Sequence, residues 1–214
     1  KGNALVYVTS EKGEKDSLTI HYLSLTNMEE RVLLKKQLKI TKIKFDEAGE
    51  QLVFLHASDT NKRKTFELSY WKPGMEMAEI LIDSTTSGMP EGYTVSEYGR
   101  PSFSKNGQRL FVGTNFIVEQ DPEDTLLESE KAKVDIWSGF DLKIQPHQLK
   151  EKKRTERKSY VAVYDFDTKK LIQIGNDSLN GLRKTDKGNG DIALLYNSDP
   201  YQKSATWDFP WKRD

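Results

Sequence analysis

Residues 43–55 of the chain read IKFDEAGEQLVFL, and residues 101–113 read PSFSKNGQRLFVG. The aromatic residue, glycine and leucine of the first stretch, Phe45, Gly49 and Leu52, recur 58 residues later in the second. Each stretch is an extended run, a polar turn whose glycine tolerates a positive φ, and a second extended run. This pattern is typical of a β-hairpin, and its recurrence predicts a fold built from repeated units.

A second kind of hairpin alternates with the first along the chain. It is predicted for residues 18–25 with 31–34, 65–71 with 79–82, and 160–166 with 170–174. Weaker copies of the first hairpin lie at residues 2–8 and 190–196. Four antiparallel strands in roughly 45 to 60 residues are typical of one blade of a β-propeller. The sequence therefore predicts an all-β fold of four-stranded antiparallel blades.

The chain, residues 1–214, is predicted to be one partial β-propeller with one insertion. Residues 117–158 do not follow the repeat, and setting them aside leaves room for fewer than four blades at roughly 45 residues a blade. Propellers typically close with about four to eight blades. We therefore expect a fragment of a longer propeller, which can associate through its exposed blade edges.

The insertion at residues 117–158 has its own charge pattern. Residues 119–130 carry six acidic residues and no basic one, whereas residues 150–158 carry six basic and two acidic residues. Residues 146–157 (PHQLKEKKRTER) have a proline near the start followed by strong helix formers, which predicts a surface helix. The insertion is therefore expected to contain the single helix of the fold.

The composition argues against several classes of function. The 33 Lys and Arg residues balance 33 Asp and Glu residues, so no net charge attracts the chain to nucleic acid or to an anionic membrane. The chain has no cysteine, which excludes disulfides, thiolate nucleophiles and cysteine-ligated zinc. No apolar run reaches the roughly 18 residues that a membrane span requires. We expect no nucleic-acid partner and no membrane span.

The repeat resembles a known family once its details are considered. The string PSFSKNGQRLFVG resembles the blade hairpin of TolB-like propellers. Residues 134–148 (VDIWSGFDLKIQPHQ), followed by YVAVYDFDTKKL from residue 160, are similar to the N-terminal β-propeller of bacterial prolyl oligopeptidase-family serine peptidases, including their dipeptidyl-peptidase-like branch. The resemblance covers most of the chain, but only the insertion segment indicates the peptidases rather than propellers in general.

This resemblance implies a two-domain enzyme in which the propeller restricts the access of peptides to an α/β-hydrolase domain. The G-x-S-x-G nucleophile elbow of such a hydrolase does not occur in the 214 residues, so no catalytic residue can be assigned. Glu29 and Glu30 are adjacent but lack the aromatic-flanked acidic motif of the dipeptidyl peptidases, so they are given no site. The implied partners are the hydrolase domain of the same chain and a peptide, and the implied location is the periplasm or the exterior.

The remaining candidate residues are assigned structural roles. The three histidines, His21, His56 and His147, show no metal spacing. The stretch 188–193 satisfies G-x-G-x-x-A, but its glycines precede a strand instead of a helix. The stretch 102–105 satisfies S-x-x-K, but it falls in the repeated turn.

Two further features, the charged runs of the insertion and the tryptophans, also lack a pattern that specifies a ligand. The basic run at residues 150–158 has no interleaved aromatic residue that would stack on bases, and the acidic run lacks the ligand spacing of an EF-hand loop. Trp71 and Trp137 are expected to pack, and the aromatic residues at 207–211 are expected near a domain contact. The sequence thus predicts no catalytic, cofactor-binding or metal-binding residue and no cofactor.

Two functions remain open from the sequence. The first is a non-catalytic propeller that gates the access of peptides to the hydrolase domain of a secreted or periplasmic serine peptidase. The second is a stand-alone propeller that acts as a protein-binding scaffold in the bacterial envelope. The fold is compatible with both.

Overall fold

The structure is a computed structural model, and it describes residues 2–13, 16–60, 64–117, 138, 140–141 and 143–201. Fourteen strands and one α-helix are formed by these residues. The strands are β1 (Ala4–Glu11), β2 (Ser17–Ser24), β3 (Glu30–Gln37), β4 (Lys39–Phe45), β5 (Leu52–Ala57), β6 (Glu67–Trp71), β7 (Glu79–Ile82), β8 (Tyr93–Val95), β9 (Ser102–Phe103), β10 (Arg109–Phe116), β11 (Tyr160–Asp165), β12 (Lys170–Gln173), β13 (Gly181–Lys184) and β14 (Ala193–Tyr196). The helix is α1 (Gln145–Glu156).

The strands form four consecutive antiparallel sheets. The first sheet is β1-β2-β3 and the second is β4-β5-β6-β7. The third has the order β12-β11-β10-β8, with β9 also pairing with β10, and the fourth is the hairpin β13-β14. Because neighbours in the chain are neighbours in each sheet, every sheet is an up-and-down meander of the kind that forms propeller blades. The segment between β10 and β11, which corresponds to the predicted insertion and is called the excursion below, contains α1. The all-β fold with one helix is as the sequence predicts.

The two repeated hairpins occupy corresponding places in successive sheets, which confirms the repeat. The first hairpin forms β4 and β5, the first two strands of the second sheet. In the third sheet, however, the first strand is divided into β8 and β9, which pair with opposite ends of β10. Strand pairing is interrupted between Ser96 and Arg100, where Gly99 crosses so close to Gly113 that an added Cβ at Gly99 would lie 2.5 Å from the Gly113 Cα.

The turns of the repeated hairpins are closed by equivalent side chains. Asp46 Oδ1 accepts hydrogen bonds from the backbone N–H groups of Gly49 and two following residues, at 2.8 to 3.0 Å. The residue 58 positions later is Ser104, whose Oγ accepts a hydrogen bond of 2.9 Å from the Arg109 N–H. Gly49 and Gly107 have φ values of 80° and 73°, which a glycine adopts at low cost. Short polar side chains and a left-handed glycine therefore specify both hairpins locally.

Strand β5 lies at the centre of the structure because both of its faces are buried. Its Leu52 and Phe54 side chains pack with Ile20 of the first sheet in one apolar cluster. Its Val53 and Leu55 side chains join a larger cluster with residues of the third sheet. All four of these β5 side chains are fully buried. The second sheet is therefore covered on both faces, as a blade is between two neighbours.

The predicted helix at residues 146–157 corresponds to α1, one residue earlier in the chain. Its third residue is His147, whose Nε2 lies 3.4 Å from a Glu151 carboxylate oxygen. None of the described helices is long and apolar enough to cross a membrane. The acidic run at residues 119–130, Trp137 and the aromatic residues at 207–211 lie outside the described residues.

Candidate functional site

A cavity of about 300 Å³ lies between the third sheet and the β13-β14 hairpin. Its polar side chains are Arg100 and Ser102 of the third sheet and Lys184 of β13, and Ser159, which directly precedes β11, is part of its wall. The apolar part of its wall is formed by the side chains of Phe111, Val161 and Leu182, whereas the side chain of Val112 packs into the core on the other face of the sheet. No Asp or Glu is among the described residues that line it. We call this space the cationic cavity, since its charged groups are an arginine and a lysine.

Lys184 is held in the cationic cavity by two contacts. Its Nζ donates a hydrogen bond of 3.0 Å to the Ser102 Oγ and lies 4.1 Å from the centre of the Phe111 ring. A cation over an aromatic face is attracted by the negative charge density of that face. Neither Lys184 nor Arg100 makes an ion pair with a carboxylate in the described part of the chain. Partial burial lowers the pKa of the Lys184 ammonium group, because desolvation disfavours its charged form.

A second cavity, of about 230 Å³, lies on the other side of Phe111 and Lys184 and has a different charge pattern. Its arginine, Arg109, is paired with the carboxylates of Asp165 and Asp191. Arg109 also donates hydrogen bonds to the backbone oxygens of residues 189 and 190, at 3.1 and 2.8 Å. This arginine therefore holds the β13-β14 loop against the third sheet and has little capacity left for a ligand.

Ser159 is an unusual residue in the wall of the cationic cavity. Its buried Oγ has no hydrogen-bond partner among the described residues. The hydroxyl fits only because its neighbours are glycines: a Cβ at Gly113 would lie 2.1 Å from the Ser159 Oγ, and one at Gly99 would lie 2.9 Å from it. Burying a hydroxyl without a partner costs about 1 to 3 kcal/mol, so this position is unfavourable unless a water or a ligand completes it.

A second polar cluster lies buried between the first and second sheets around His56, which is 2% exposed. Its Nδ1 lies 3.0 Å from the Gln37 Oε1 and its Nε2 lies 2.8 Å from the Ser69 Oγ. Both ring nitrogens are thus satisfied when the ring is neutral, with Nδ1 donating and Nε2 accepting. Glu67 Oε2 lies farther away, 3.8 Å from Nδ1. Burial lowers the pKa of His56 to about 4.

A related hydroxyl–imidazole pair lies on the first sheet. Thr9 Oγ1 is 2.9 Å from the His21 Nε2, and the His21 Nδ1 is 2.9 Å from a Glu30 carboxylate oxygen. By strand register, Thr9 on β1 and His21 on β2 occupy the positions that His56 on β5 and Ser69 on β6 occupy in the second sheet. The hydroxyl and the imidazole are therefore exchanged between the two strands. The Glu30 carboxylate also accepts a hydrogen bond from the Tyr7 hydroxyl, and these contacts lower its pKa.

Neither histidine cluster forms a hydrolase site, although each places a hydroxyl beside an imidazole. Ser69 is fully buried and borders neither cavity, so a substrate cannot reach it. Thr9 is exposed, but it lies on a sheet face and borders neither cavity. A nucleophile also needs oxyanion donors in a shaped site. Sequence analysis missed both pairs because their members are 12 and 13 residues apart on separate strands.

The two motif-like stretches have the structural roles that the sequence predicts, with one addition. Gly188 ends a short 3₁₀ turn and the chain then enters β14, so the glycine stretch opens no helix. In the S-x-x-K stretch, Ser104 closes the hairpin turn and Lys105 is exposed. Ser102, however, meets a different lysine, Lys184, which is 82 residues away in the sequence. In the described residues no group of three or more His, Asp or Glu is placed to hold a metal ion.

The helical excursion returns to the sheet at the cationic cavity. It leaves β10 after Phe116 and re-enters at Ser159, which is part of the cavity wall. Just before this point the guanidinium of Arg157 lies 5.7 Å from the centre of the Tyr98 ring. Tyr98 directly precedes Gly99 and Arg100 of the cavity. The end of the excursion is therefore anchored at the rim of the cavity.

Together the sheets and the excursion define the chain as an all-β protein of propeller-type blades. No family model and no curated protein matches it. Among solved structures, it is similar to the β-propeller domain of the Trilobed protease from Pyrococcus furiosus, with 13% identity, a TM-score of 0.44 and coverage of 81% of this chain and 39% of that chain.

Two other solved structures are similar to a comparable degree. TolB from Acinetobacter baumannii is 11% identical with a TM-score of 0.41, over 91% of this chain and 37% of TolB. The acylaminoacyl peptidase of Pyrococcus horikoshii is 12% identical with a TM-score of 0.45, over 92% of this chain and 26% of the peptidase. The chain spans less than half the length of each of the three proteins. Likeness at this level concerns the fold and carries no argument about activity.

Proposed function

We propose that this chain is the non-catalytic propeller part of a prolyl oligopeptidase-family serine peptidase of the dipeptidyl-peptidase-like branch. In this role it gates the access of peptides to a hydrolase domain of the same full-length protein, in the periplasm or outside the cell. The proposed partners are that hydrolase domain and the peptide. The open edges of the blades are proposed to favour association when the chain is isolated.

The observation that carries this proposal is the excursion between β10 and β11. It interrupts an otherwise regular meander and returns at the rim of the cationic cavity, where Arg157 stacks on Tyr98. Long excursions from a rigid repeat scaffold are where binding functions are usually found. Residues 134–148, whose sequence resembles the peptidase propellers, belong to the same excursion.

Labelling by a fluorophosphonate probe, which reacts with activated serines, tests the proposal. We expect the full-length gene product to be labelled and the 214-residue chain to remain unlabelled, because neither histidine cluster places a hydroxyl in a shaped site with oxyanion donors. An unlabelled full-length protein would contradict the peptidase assignment and favour the envelope scaffold. Labelling of the isolated chain would contradict its non-catalytic role, and Ser102, which bonds to Lys184, is the serine to map first.

The gating role has its own test. Replacing residues 117–158 of the full-length protein by a short Gly-Ser linker should change which peptides are cleaved and leave probe labelling intact. The measurement is cleavage of a library of peptides of different length. The gating role is wrong if the shortened protein cleaves the same peptides at the same relative rates.

A further inference from the structure

Several polar groups of the cationic cavity lack, within the described residues, the partners that buried or paired groups usually have. It holds Arg100 and Lys184 without a carboxylate, and it holds the Ser159 hydroxyl without a hydrogen-bond partner in the described part of the chain. The neighbouring cavity is the internal contrast, since its Arg109 is paired with two aspartates. Charges that serve only to join the hairpin to the third sheet would be expected to be paired in the same way.

The charges of the cationic cavity are accessible to a ligand. Lys184 and Arg100 are both exposed to solvent, although Lys184 is positioned by the Ser102 hydroxyl and the Phe111 ring. An ammonium group has three donors, and only one is used by Ser102. The guanidinium of Arg100 can offer a planar pair of donors, which matches the two oxygens of a carboxylate.

The remaining wall of the cavity is apolar. Phe111, Val161 and Leu182 come from three different strands and line the same space as the cations. A volume of about 300 Å³ is at the lower end of the range for small-molecule sites. A ligand that satisfies both parts of the wall has an anionic group and an apolar group a few bonds apart. A bare inorganic anion satisfies only the cations.

We propose that the cationic cavity binds a small carboxylic acid that carries an apolar side chain, with Arg100 and Lys184 as the carboxylate ligands. Phe111, Val161 and Leu182 contact the apolar part, and the buried Ser159 hydroxyl lies within the wall. The site lies wholly within this chain. The inference therefore stands or falls independently of the proposed peptidase function.

Calorimetric titration of the 214-residue chain with N-acetyl-leucine tests this site. We expect binding by the wild type, and a loss of about tenfold or more in affinity for Lys184→Met and for Arg100→Gln, because each removes a charge-assisted hydrogen bond. Lys184→Met keeps the aliphatic contact with Phe111. The matched control is Lys105→Gln, which removes an exposed lysine outside the cavity and should bind normally. Circular dichroism melts establish that each variant is folded.

Two further ligands define the chemical class. N-acetyl-leucinamide, which lacks the charge, and inorganic phosphate, which lacks the apolar group, should each bind about tenfold more weakly or worse than N-acetyl-leucine. Ligand binding should also raise the pKa of Lys184, measured from its side-chain NMR signals. The inference is wrong if the wild type does not bind N-acetyl-leucine, if the amide or phosphate binds equally well, or if Lys105→Gln weakens binding as much as Lys184→Met.

Discussion

Two junctions between neighbouring sheets are packed differently. One lies between the first and second sheets, and the other lies between the third sheet and the β13-β14 hairpin. At the first junction Phe54 is fully buried, and the polar His56 has a partner for each ring nitrogen. At the other junction Phe111 separates two cavities, and Ser159 has no partner within the described residues. The first junction is thus closely packed with its polar groups satisfied, whereas the second leaves space and unpaired charge, where we propose that a ligand binds.

The largest difference between the junctions should appear when a phenylalanine is truncated in each. Phe54→Ala should lower the free energy of unfolding by about 3 to 5 kcal/mol, because it opens a void in a closely packed cluster. Phe111→Ala should cost less, about 2 kcal/mol, because its ring already borders empty space. Urea denaturation of both variants measures this. Equal losses would contradict the proposed difference in packing.

The buried imidazole of His56 at the first junction should make the free energy of unfolding depend on pH. The pKa of His56 is about 4 in the folded protein and about 6.5 when exposed, so between these values the unfolded chain binds a proton that the folded chain does not. The free energy of unfolding should therefore fall as the pH drops from 6.5 to 4, by up to about 3 kcal/mol from this residue. Urea denaturation at pH 7, 5.5 and 4.5 provides the measurement.

The variant His56→Gln is the control for that titration. It removes the titrating group, so its loss of stability between pH 7 and 4.5 should be smaller than that of the wild type. The carboxylates, including the nearby Glu67, titrate in both proteins and so cancel in the comparison. Identical pH dependence in the two proteins would show that His56 is not buried in its neutral form.

Removing the hydroxyl from each hydroxyl–imidazole pair tests whether the loss of stability depends on the burial of the pair. Ser69→Ala leaves the Nε2 of the buried His56 without a partner and should cost about 1 to 3 kcal/mol. Thr9→Ala, the equivalent change on the first sheet, should have no measurable effect, because water can replace the exposed hydroxyl. Thermal melts at pH 7 compare the two. Similar losses for both variants would contradict the argument from burial.

Apart from the Thr9→Ala comparison, the smallest expected change is a gain in stability at the cationic cavity. Ser159→Ala removes a buried hydroxyl that lacks a partner and should raise the free energy of unfolding by about 1 kcal/mol in the absence of ligand. A loss of stability would mean that the hydroxyl is satisfied in solution, which would remove one of the supports for the site.

Much of the local structure was predictable from short stretches of sequence. The repeated hairpins, with Gly49 and Gly107 in their turns, depend on φ preferences and on side chains within a few residues. The same holds for α1, which was predicted to within one residue from its proline and its run of helix formers. The split of the third sheet's first strand was not predicted, because it depends on the approach of Gly99 to Gly113 across the sheet.

The blade repeat can therefore be read from local patterns, since turn chemistry and alternating apolar residues act between near neighbours in the chain. Which polar groups meet depends instead on the packing of distant strands. Ser102 and Lys184 are 82 residues apart and come together because successive sheets pack side by side. Gln37 reaches His56 from the neighbouring sheet for the same reason, whereas Ser69 meets His56 through the register of two paired strands. Such contacts depend on packing between distant strands, which no local pattern of residues encodes.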